Sequence, residues 1–165
     1  SLHDALPISL WDLPRLVSWI GGAKRTLRIQ VLTYKTTSRD GSAFHELDDA
    51  VRAAAKRGVS VELLVSTWGE KADAVRALAS TPNVAVRVLD IPKFSGGDVP
   101  FGRVAHAKFA IMDDRAWLGT GNWEGDYFYA SRNLSLFFDD PTLAGELARV
   151  FDDEWRSVYA RAPAR

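Results

Sequence analysis

Short apolar runs alternate with amphipathic helical stretches along most of this sequence. The runs at 26–34 and 59–65 are rich in valine, leucine and isoleucine, as buried strands are. Between them, apolar residues recur at helical spacing from Phe44 to Ala54, which indicates an amphipathic helix. Strands that alternate with helices favour a parallel sheet covered by helices on both faces. The sequence therefore predicts an α/β fold, a layered α/β/α sandwich with a central mixed, mostly parallel sheet.

The remaining elements continue this alternation. Apolar periodicity and capping residues predict further helices at 13–20, after Ser42 as a plausible N-cap, at 70–80, and after Asp140 and Pro141. Further strands are predicted at 84–88, 104–112, 116–118 and 134–138. No internal repeat, linker or low-complexity segment divides the chain, so we expect one domain over residues 10–165. Residues 1–9 show neither periodicity, and we expect a non-native or disordered segment there.

The composition narrows the kinds of site this chain can carry. Of its 165 residues, 47% are hydrophobic and 25% are charged, as in ordinary folded domains. Lysine plus arginine equals aspartate plus glutamate, at 21 each, so any basic surface for nucleic acid must be local. The chain contains no cysteine, which excludes disulfides and thiolate metal sites but leaves the cellular compartment open. Scattered histidines and paired acidic residues form no convincing metal-binding pattern.

The segment HAKFAIMD carries the strongest chemical signal. His106 and Lys108 are two residues apart on a predicted strand, so both side chains leave the same face. The lysine supplies positive charge for a phosphate, and the imidazole can act as a nucleophile or exchange protons. The segment GTGN follows at 119–122, where glycines let the backbone approach a ligand and Thr120 and Asn122 offer hydrogen bonds. A lone histidine is usually structural, but this combination favours an anion site.

The spacing of these residues resembles the phospholipase D superfamily. His106, Lys108 and Asp113 match the pattern H-x-K-x-x-x-x-D, and residues 119–122 match G-[ST]-x-N. The longer strings STWG, RVAHAKFAIMD and GTGNWEGDYF are similar to the C-terminal half of the type three and four branch, which contains 5′ exonucleases of single-stranded nucleic acid. The resemblance implies a phospholipase D-like domain that acts on phosphodiester bonds.

The resemblance also implies a site shared by two such halves, with no metal and no cofactor. One histidine attacks phosphorus to form a phosphohistidine, while the other protonates the leaving oxygen and then activates water. Because this chain carries one copy of the motif, the second H-x-K half comes from a missing N-terminal region or from a homodimer partner. His106 is expected to act as acid and base in the first case, and in either role in the second.

The resemblance implies a set of site residues, which we assign by their positions in the motifs of this sequence. The catalytic group comprises His106, Lys108, Asp113 and Asn122, and the substrate-binding group comprises Thr120, Trp123 and Asn133. Within the first group the aspartate is implied to be structural, so no chemical step is assigned to it. Trp123 is a candidate for base stacking, although tryptophans are more often packed in cores. Asn133 lies where many members carry a glutamate that orients the imidazole, and its amide oxygen can accept the same N–H bond.

Three functions remain open from the sequence. The first is hydrolysis or transfer at phosphodiester bonds of single-stranded nucleic acid, as an exonuclease. The second is a phospholipase or phosphatidyltransferase that acts on lipid headgroups, against which the lack of an obvious amphipathic membrane helix counts. The third is an isolated half-site that binds phosphate but is inactive without a second half.

Overall fold

The computed structural model of the chain describes residues 11–97, 99–100 and 102–164. The expectation for residues 1–9 lies outside these ranges. In chain order the elements are α1 (Asp12–Gly22), β1 (Thr26–Val31), α2 (Glu46–Lys56), β2 (Ser60–Ser66), α3 (Asp73–Ala79), β3 (Val84–Leu89), β4 (Phe109–Met112), β5 (Arg115–Gly119), α4 (Gly125–Tyr129), β6 (Ser135–Phe138), α5 (Pro141–Arg156) and β7 (Ala160–Arg161). Within the described ranges, no helix combines the length and the apolar character needed to cross a bilayer.

The strands form one mixed, seven-stranded sheet in the order β6-β5-β4-β1-β2-β3-β7. β1 pairs in parallel with β2, and β2 with β3, whereas every other pairing in the described sheet is antiparallel. The α/β class and the mixed sheet are confirmed, but the expectation of mostly parallel pairing is wrong. Its physical reason lies in short connections such as that from Met112 to Arg115, because so tight a turn joins antiparallel neighbours.

Helices cover both faces of the sheet, as the three-layer prediction requires. Apolar side chains of α1, α2 and α3 share a core cluster with Leu27, Ile29 and Leu63 of the sheet. On the other face, Phe151 of α5 belongs to a second cluster that includes Leu64. The consecutive residues Leu63 and Leu64 therefore point into opposite layers, as the two-residue repeat of a strand demands.

The strand directions bring several chain segments to one edge of the sheet. β1, β2 and β3 end at this edge, β4 runs antiparallel to β1 and begins there, and β5 runs antiparallel to β4 and ends there. We call it the carboxyl edge, defined by the residues that follow β1, β2, β3 and β5 and those that precede β4. Ligand sites of α/β sheets commonly lie outside the carboxyl ends of parallel strands.

The start of β4 differs from the prediction. The sequence predicted a strand from residue 104, whereas β4 begins at Phe109, which pairs with Gln30. Because β1 ends one residue later, at Val31, the chain before Phe109 has no continuing ladder on that side. His106 and Lys108 therefore lie just before the strand rather than within it.

Of the two helix starts that rested on a predicted cap, one is confirmed and one is wrong. The Asp140 carboxylate accepts hydrogen bonds from the backbone N–H groups of Thr142 and Leu143, at 2.8 and 3.3 Å, and caps α5. Ser42 does not cap α2, which begins at Glu46. The N–H of Ser42 instead donates to Asp40 Oδ1 at 2.9 Å within a turn that precedes the helix.

Candidate active site

His106 and Lys108 contact each other at the carboxyl edge. Lys108 Nζ lies 3.0 Å from Nδ1 and 3.3 Å from Nε2 of His106, and it donates to the His106 carbonyl oxygen at 2.6 Å. The histidine is exposed, whereas Lys108 is only 7% exposed. Burial lowers the pKa of Lys108, because it disfavours the charged ammonium. The pair thus combines an imidazole that solvent can reach with a sheltered lysine, which suits an anion arriving from water.

Neighbouring residues hold this pair against the sheet. Ala105 and Phe109 flank it and are buried in the core cluster that α5 covers. The backbone N–H of Gly119 donates to the carbonyl oxygen of Lys108 at 3.0 Å. This bond links the segment before β4 to the end of β5, so the two halves of the sequence motif meet at one corner.

Of the two glycines of GTGN, a side chain at Gly119 would collide with a neighbour and one at Gly121 would be crowded. A Cβ atom added to Gly119 would come within 2.2 Å of the Trp117 ring. One added to Gly121 would lie 3.2 Å from Tyr127 Cβ and 3.3 Å from Asn133 Cγ. The sequence suggested that these glycines admit a ligand, whereas the structure explains them by the close packing of neighbouring side chains.

Asn122 is buried, at 2% exposure, with its amide beside a tyrosine. Its Nδ2 lies 3.2 Å from the hydroxyl of Tyr127. Its Oδ1 is buried and has no hydrogen-bond partner in the described part of the chain. Buried side-chain amides normally engage both ends, so this unpartnered end is unusual.

Thr120 and Asn133 interact with each other beside this amide. The Thr120 hydroxyl donates to Asn133 Oδ1 at 3.0 Å and accepts from the N–H of Leu134 at 3.0 Å. Asn133 Nδ2 donates to the carbonyl oxygen of Tyr127 at 2.7 Å. Both ends of the Asn133 amide are engaged in this way, and the His106 ring is not among its partners in the ranges described. The role of Asn133 as a support for the imidazole stays a prediction.

Asp113 lies at the opposite edge of the sheet from His106, in the turn between β4 and β5. Its carboxylate accepts hydrogen bonds from the backbone N–H groups of Lys24, Arg25 and Thr26 at 2.7, 2.9 and 2.9 Å. Burial acts to raise the pKa of Asp113, but these donors prevail and hold it below its ordinary value. Its backbone φ of 53° is the left-handed conformation that aspartate tolerates in tight turns. We therefore assign Asp113 a structural role and remove it from the catalytic group.

Trp123 is fully buried, which does not fit the stacking role expected of it. It is 0% exposed and belongs to the main core cluster. Its ring centroid lies 6.0 Å from that of Tyr34 and 6.0 Å from that of Trp117. A base cannot reach this ring without opening the core, so the substrate-binding role of Trp123 is corrected to a packing role.

A buried glutamate next to the site escaped the sequence analysis. Glu124 is 7% exposed, accepts a hydrogen bond from the Thr33 hydroxyl, and forms an ion pair with Lys35 at 3.0 Å. Thr33 and Lys35 follow β1 directly, so this contact joins two segments of the carboxyl edge. In the sequence, the polar residues Thr33 and Lys35 soon after the apolar run of β1 were the signal that could have pointed to this contact. Across the described ranges, no three His, Cys, Asp or Glu side chains are grouped to hold a metal ion.

A cavity of about 310 Å³ lies at the carboxyl edge beyond β2 and β3, and its lining extends to Val104, two residues before His106. Two aromatic side chains on its wall are half-exposed, Trp68 at 50% and Phe94 at 53%. Lys93 and Arg103 add positive charge to the same wall. Aromatic side chains and cations thus share the wall of a cavity whose lining reaches, along the chain, to within two residues of His106.

An arginine of β7 fastens the turn after β2 beside this cavity. Arg161 donates to Glu70 Oε2 at 2.9 Å and to Asp90 Oδ2 at 2.8 Å. The hydrogen bonds from Arg161 lower the pKa of Glu70 to about 2, against the opposing effect of burial. Asp90 lines the cavity, so this ion-pair network supports one of its walls.

The α/β fold, and the meeting of the His106–Lys108 segment with the GTGN segment at the carboxyl edge, define a phospholipase D-like domain that carries one H-x-K motif. A family model described as "Cardiolipin synthase, PLD-like domain" matches residues 16–155. The chain therefore belongs to the phospholipase D-like family, which confirms the resemblance drawn from its sequence.

Curated relatives agree with this assignment. Phospholipase D Z of Dictyostelium discoideum is 35% identical over an alignment of 158 positions that covers 90% of this chain and 37% of that protein. The 5′-3′ exonuclease PLD4 of Mus musculus is 31% identical over an alignment of 172 positions that covers 90% of this chain and 34% of that protein. The chain thus spans about a third of the length of these relatives.

Solved structures share the fold. NucT from Helicobacter pylori superposes with a TM-score of 0.78 at 23% identity, covering 95% of this chain and 94% of that one. Nuc from Salmonella typhimurium, a phospholipase D family member, gives a TM-score of 0.64 at 22% identity over 90% of this chain and 88% of that one. These likenesses establish a common architecture.

Proposed function

We propose that this chain supplies His106 and Lys108 to a site that cleaves phosphodiester bonds without a metal ion, either by hydrolysis or by transfer of the phosphoryl group to another acceptor. The observation that carries the proposal is the contact between an exposed imidazole and a buried ammonium, 3.0 Å apart, at the carboxyl edge. An imidazole can attack phosphorus or move a proton, and a sheltered cation stabilises the charge of the phosphate oxygens. Membership of the phospholipase D-like family supports this chemistry.

The proposed reaction has two steps and uses two histidines. In the first, a nitrogen of one histidine forms a bond to phosphorus, and the bond to the leaving oxygen breaks as the other histidine gives that oxygen a proton. In the second, the other histidine takes a proton from water, whose oxygen attacks the phosphohistidine and releases the product. Lys108 and Asn122 hold the non-bridging oxygens in both steps, so no cofactor takes part.

A second H-x-K half must complete the site, because this chain brings one. We propose that it comes from a second copy of the chain or from a region that precedes it in a longer protein. The first source assumes one such domain per chain, and the NucT chain, 94% of which is matched, is a chain of that kind in fold. The coverage of 34 to 37% of the curated relatives supports the second.

Single-stranded nucleic acid is the substrate class that we favour. The cavity at the carboxyl edge, whose lining includes Val104 of the segment that leads to His106, combines the half-exposed side chains of Trp68 and Phe94 with the charges of Lys93 and Arg103. Proteins bind single strands through stacking of bases on aromatic rings and through cations along the phosphates. The name 5′-3′ exonuclease PLD4 agrees with this choice, whereas the name phospholipase D Z and the cardiolipin synthase description favour a lipid headgroup as the second candidate.

A chromogenic phosphodiester assay, run with gel filtration, tests the proposal. We expect a dimer or larger assembly of the chain to cleave the substrate. His106→Ala should lose cleavage and elute at the same volume as the wild-type chain. A monomer that binds inorganic phosphate but cleaves nothing would support an isolated half-site instead.

Competition then decides between the two substrate classes. Single-stranded DNA should inhibit cleavage of the chromogenic substrate more strongly than phospholipid vesicles do, and Phe94→Ala should weaken inhibition by DNA. Stronger inhibition by the vesicles would favour the lipid headgroup.

A further inference from the structure

Tyr127 connects three of the candidate site residues. Its hydroxyl lies 3.2 Å from Asn122 Nδ2, and its carbonyl oxygen accepts from Asn133 Nδ2 at 2.7 Å. Asn133 in turn accepts from the Thr120 hydroxyl at 3.0 Å. Tyr127 also packs over Gly121, where an added Cβ would lie 3.2 Å from its own Cβ. A single tyrosine of α4 therefore contacts or supports most of the GTGN segment.

The unpartnered end of the Asn122 amide is where a ligand can complete its hydrogen bonds. A buried amide end without a partner costs about 1–3 kcal/mol whether it is Oδ1 or Nδ2, and Asn122 is 2% exposed. A half-turn of the amide exchanges its oxygen and nitrogen at nearly the same positions. After that turn the Tyr127 hydroxyl donates to Oδ1, and Nδ2 takes the unpartnered position with its N–H donors to offer.

This orientation is the one that an anion requires. Phosphate oxygens accept hydrogen bonds, so an amide oxygen facing them would be repelled, whereas an amide N–H₂ group binds them. The tyrosine hydroxyl can accept from Nδ2 or donate to Oδ1, so the bound anion selects the orientation in which the hydroxyl donates to Oδ1 and Nδ2 is turned away from the ring.

We infer that Tyr127 is a positioning residue, which fixes the Asn122 side chain with its N–H₂ group directed toward a bound phosphate oxygen. The inference rests on the proposed phosphodiester chemistry for its ligand, but the orientation of the amide can be measured without any turnover. Tyr127 acts through Asn122 and takes part in no bond-making step.

The test compares Tyr127→Phe with Tyr129→Phe, using the full chain and inorganic phosphate as the probe. Tyr129 is a matched control, because it lies on the same short helix and its hydroxyl donates to Glu46 instead. We expect Tyr127→Phe to weaken phosphate binding about tenfold by calorimetry, and Tyr129→Phe to change it less than twofold. In the background of Asn122→Ala, removal of the Tyr127 hydroxyl should have no further effect.

Nitrogen-15 NMR of the Asn122 side-chain amide separates this inference from the proposed function. Its resonances should shift in Tyr127→Phe and stay unchanged in Tyr129→Phe, whether or not phosphate binds. Shifted resonances without phosphate binding by the wild-type chain would reject the proposed ligand and retain the positioning role.

Either of two results would overturn the inference: unchanged Asn122 resonances in Tyr127→Phe, or further loss of phosphate binding when that change is added to Asn122→Ala. If Tyr127→Phe fails to fold, Asn122→Asp decides. Its carboxylate keeps an acceptor for the Tyr127 hydroxyl but lacks the N–H₂ donor, so it should fold and lose phosphate binding, and retained binding would refute the inference.

Discussion

The ammonium group of Lys108 is largely shielded from water and rests against the carbonyl oxygen and ring of His106. Burial disfavours its charged form and lowers its pKa. A phosphate oxygen placed beside the ammonium would stabilise that charge in surroundings where water screens it little. Lys108 therefore gains more from a bound anion than an exposed lysine does.

Replacement of Lys108 should weaken phosphate binding without lowering the stability of the fold. We predict that Lys108→Met weakens inorganic phosphate binding at least tenfold, because the charge that meets the anion is lost. The same change should leave the free energy of unfolding unchanged or raise it, since an apolar side chain of similar shape avoids burying a charge. Calorimetry with phosphate and urea unfolding measure both effects, with the exposed helix residue Lys56→Met as the control. Wild-type phosphate affinity in Lys108→Met would remove Lys108 from the site.

A second buried group gives a pH-dependent prediction outside the site. Burial raises the pKa of Glu154, against an opposing hydrogen bond from Gln30. Glu154 Oε2 and Gln30 Oε1 are both buried without a partner in the described residues. A carboxyl whose pKa is raised on folding destabilises the fold above that raised pKa, and the penalty disappears as pH falls through it.

We therefore predict that Glu154→Gln stabilises the fold at pH 7 by about 1 kcal/mol, because the new amide is uncharged and can donate to Gln30. The difference from wild type should shrink as pH falls through the raised pKa of Glu154 toward 4.5, the ordinary value for glutamate, and should level off below it, where the protonated carboxyl is uncharged and can donate in the same way. Thermal unfolding between pH 3 and 7 measures the difference, with Asp153→Asn, an exposed neighbour on α5, as the control. A stabilisation that does not vary with pH would refute the assignment.

Among the helices and strands, those that depend on residues adjacent in the chain could be predicted from the sequence, and those that depend on distant contacts could not. The runs that became β1 and β2, and the Asp140–Pro141 start of α5, were predicted because each depends on residues adjacent in the chain. The short α4 was missed, since its five residues GDYFY show no helical repeat and it is held by contacts such as that of Phe128 with Phe44. β7, with two residues, was missed because it depends on its pairing with β3.

The site was predicted to the same degree and for the same reason. The spacing of His106 and Lys108 and the GTGN segment were visible in the sequence. Burial was not, so Trp123 was wrongly assigned to substrate binding, and side-chain contacts such as that of Tyr127 with Asn122, only five residues apart, were missed.

Two glycines give opposite predictions at this scale. Gly119→Ala should destabilise the fold by about 1–3 kcal/mol, because its Cβ would meet the Trp117 ring at the end of β5. Gly145→Ala should stabilise it by about 0.5–1 kcal/mol, because that Cβ meets nothing within 4 Å on the exposed side of α5. Urea unfolding of both variants measures these differences. Equal effects of the two substitutions would contradict the account of Gly119 as a packing requirement.

At the scale of the whole molecule, every candidate site residue except Asp113 belongs to segments that meet at or follow the carboxyl edge, and the motif occurs once. A site with two histidines then needs two chains or a longer chain. In a homodimer both chains must keep His106. A mixed dimer with one His106→Ala chain should therefore be inactive.

Mixing experiments test this arrangement. If the chain acts as a homodimer, an equimolar mixture with His106→Ala should keep about a quarter of the wild-type activity after subunit exchange, because random pairing leaves that fraction of dimers intact. Activity is compared with that of the unmixed wild-type chain at the same total chain concentration, which gives this ratio. Half of the activity after full exchange would mean that each chain works alone.

One comparison decides whether His106 serves metal-free phosphodiester chemistry. The rate of chromogenic phosphodiester cleavage is measured in excess EDTA for the wild-type chain and for His106→Asn, each checked by gel filtration. We predict that wild-type cleavage persists in EDTA and that the rate falls at least about a thousandfold in His106→Asn. Cleavage that requires an added divalent metal, or that continues at the wild-type rate in His106→Asn, would contradict it.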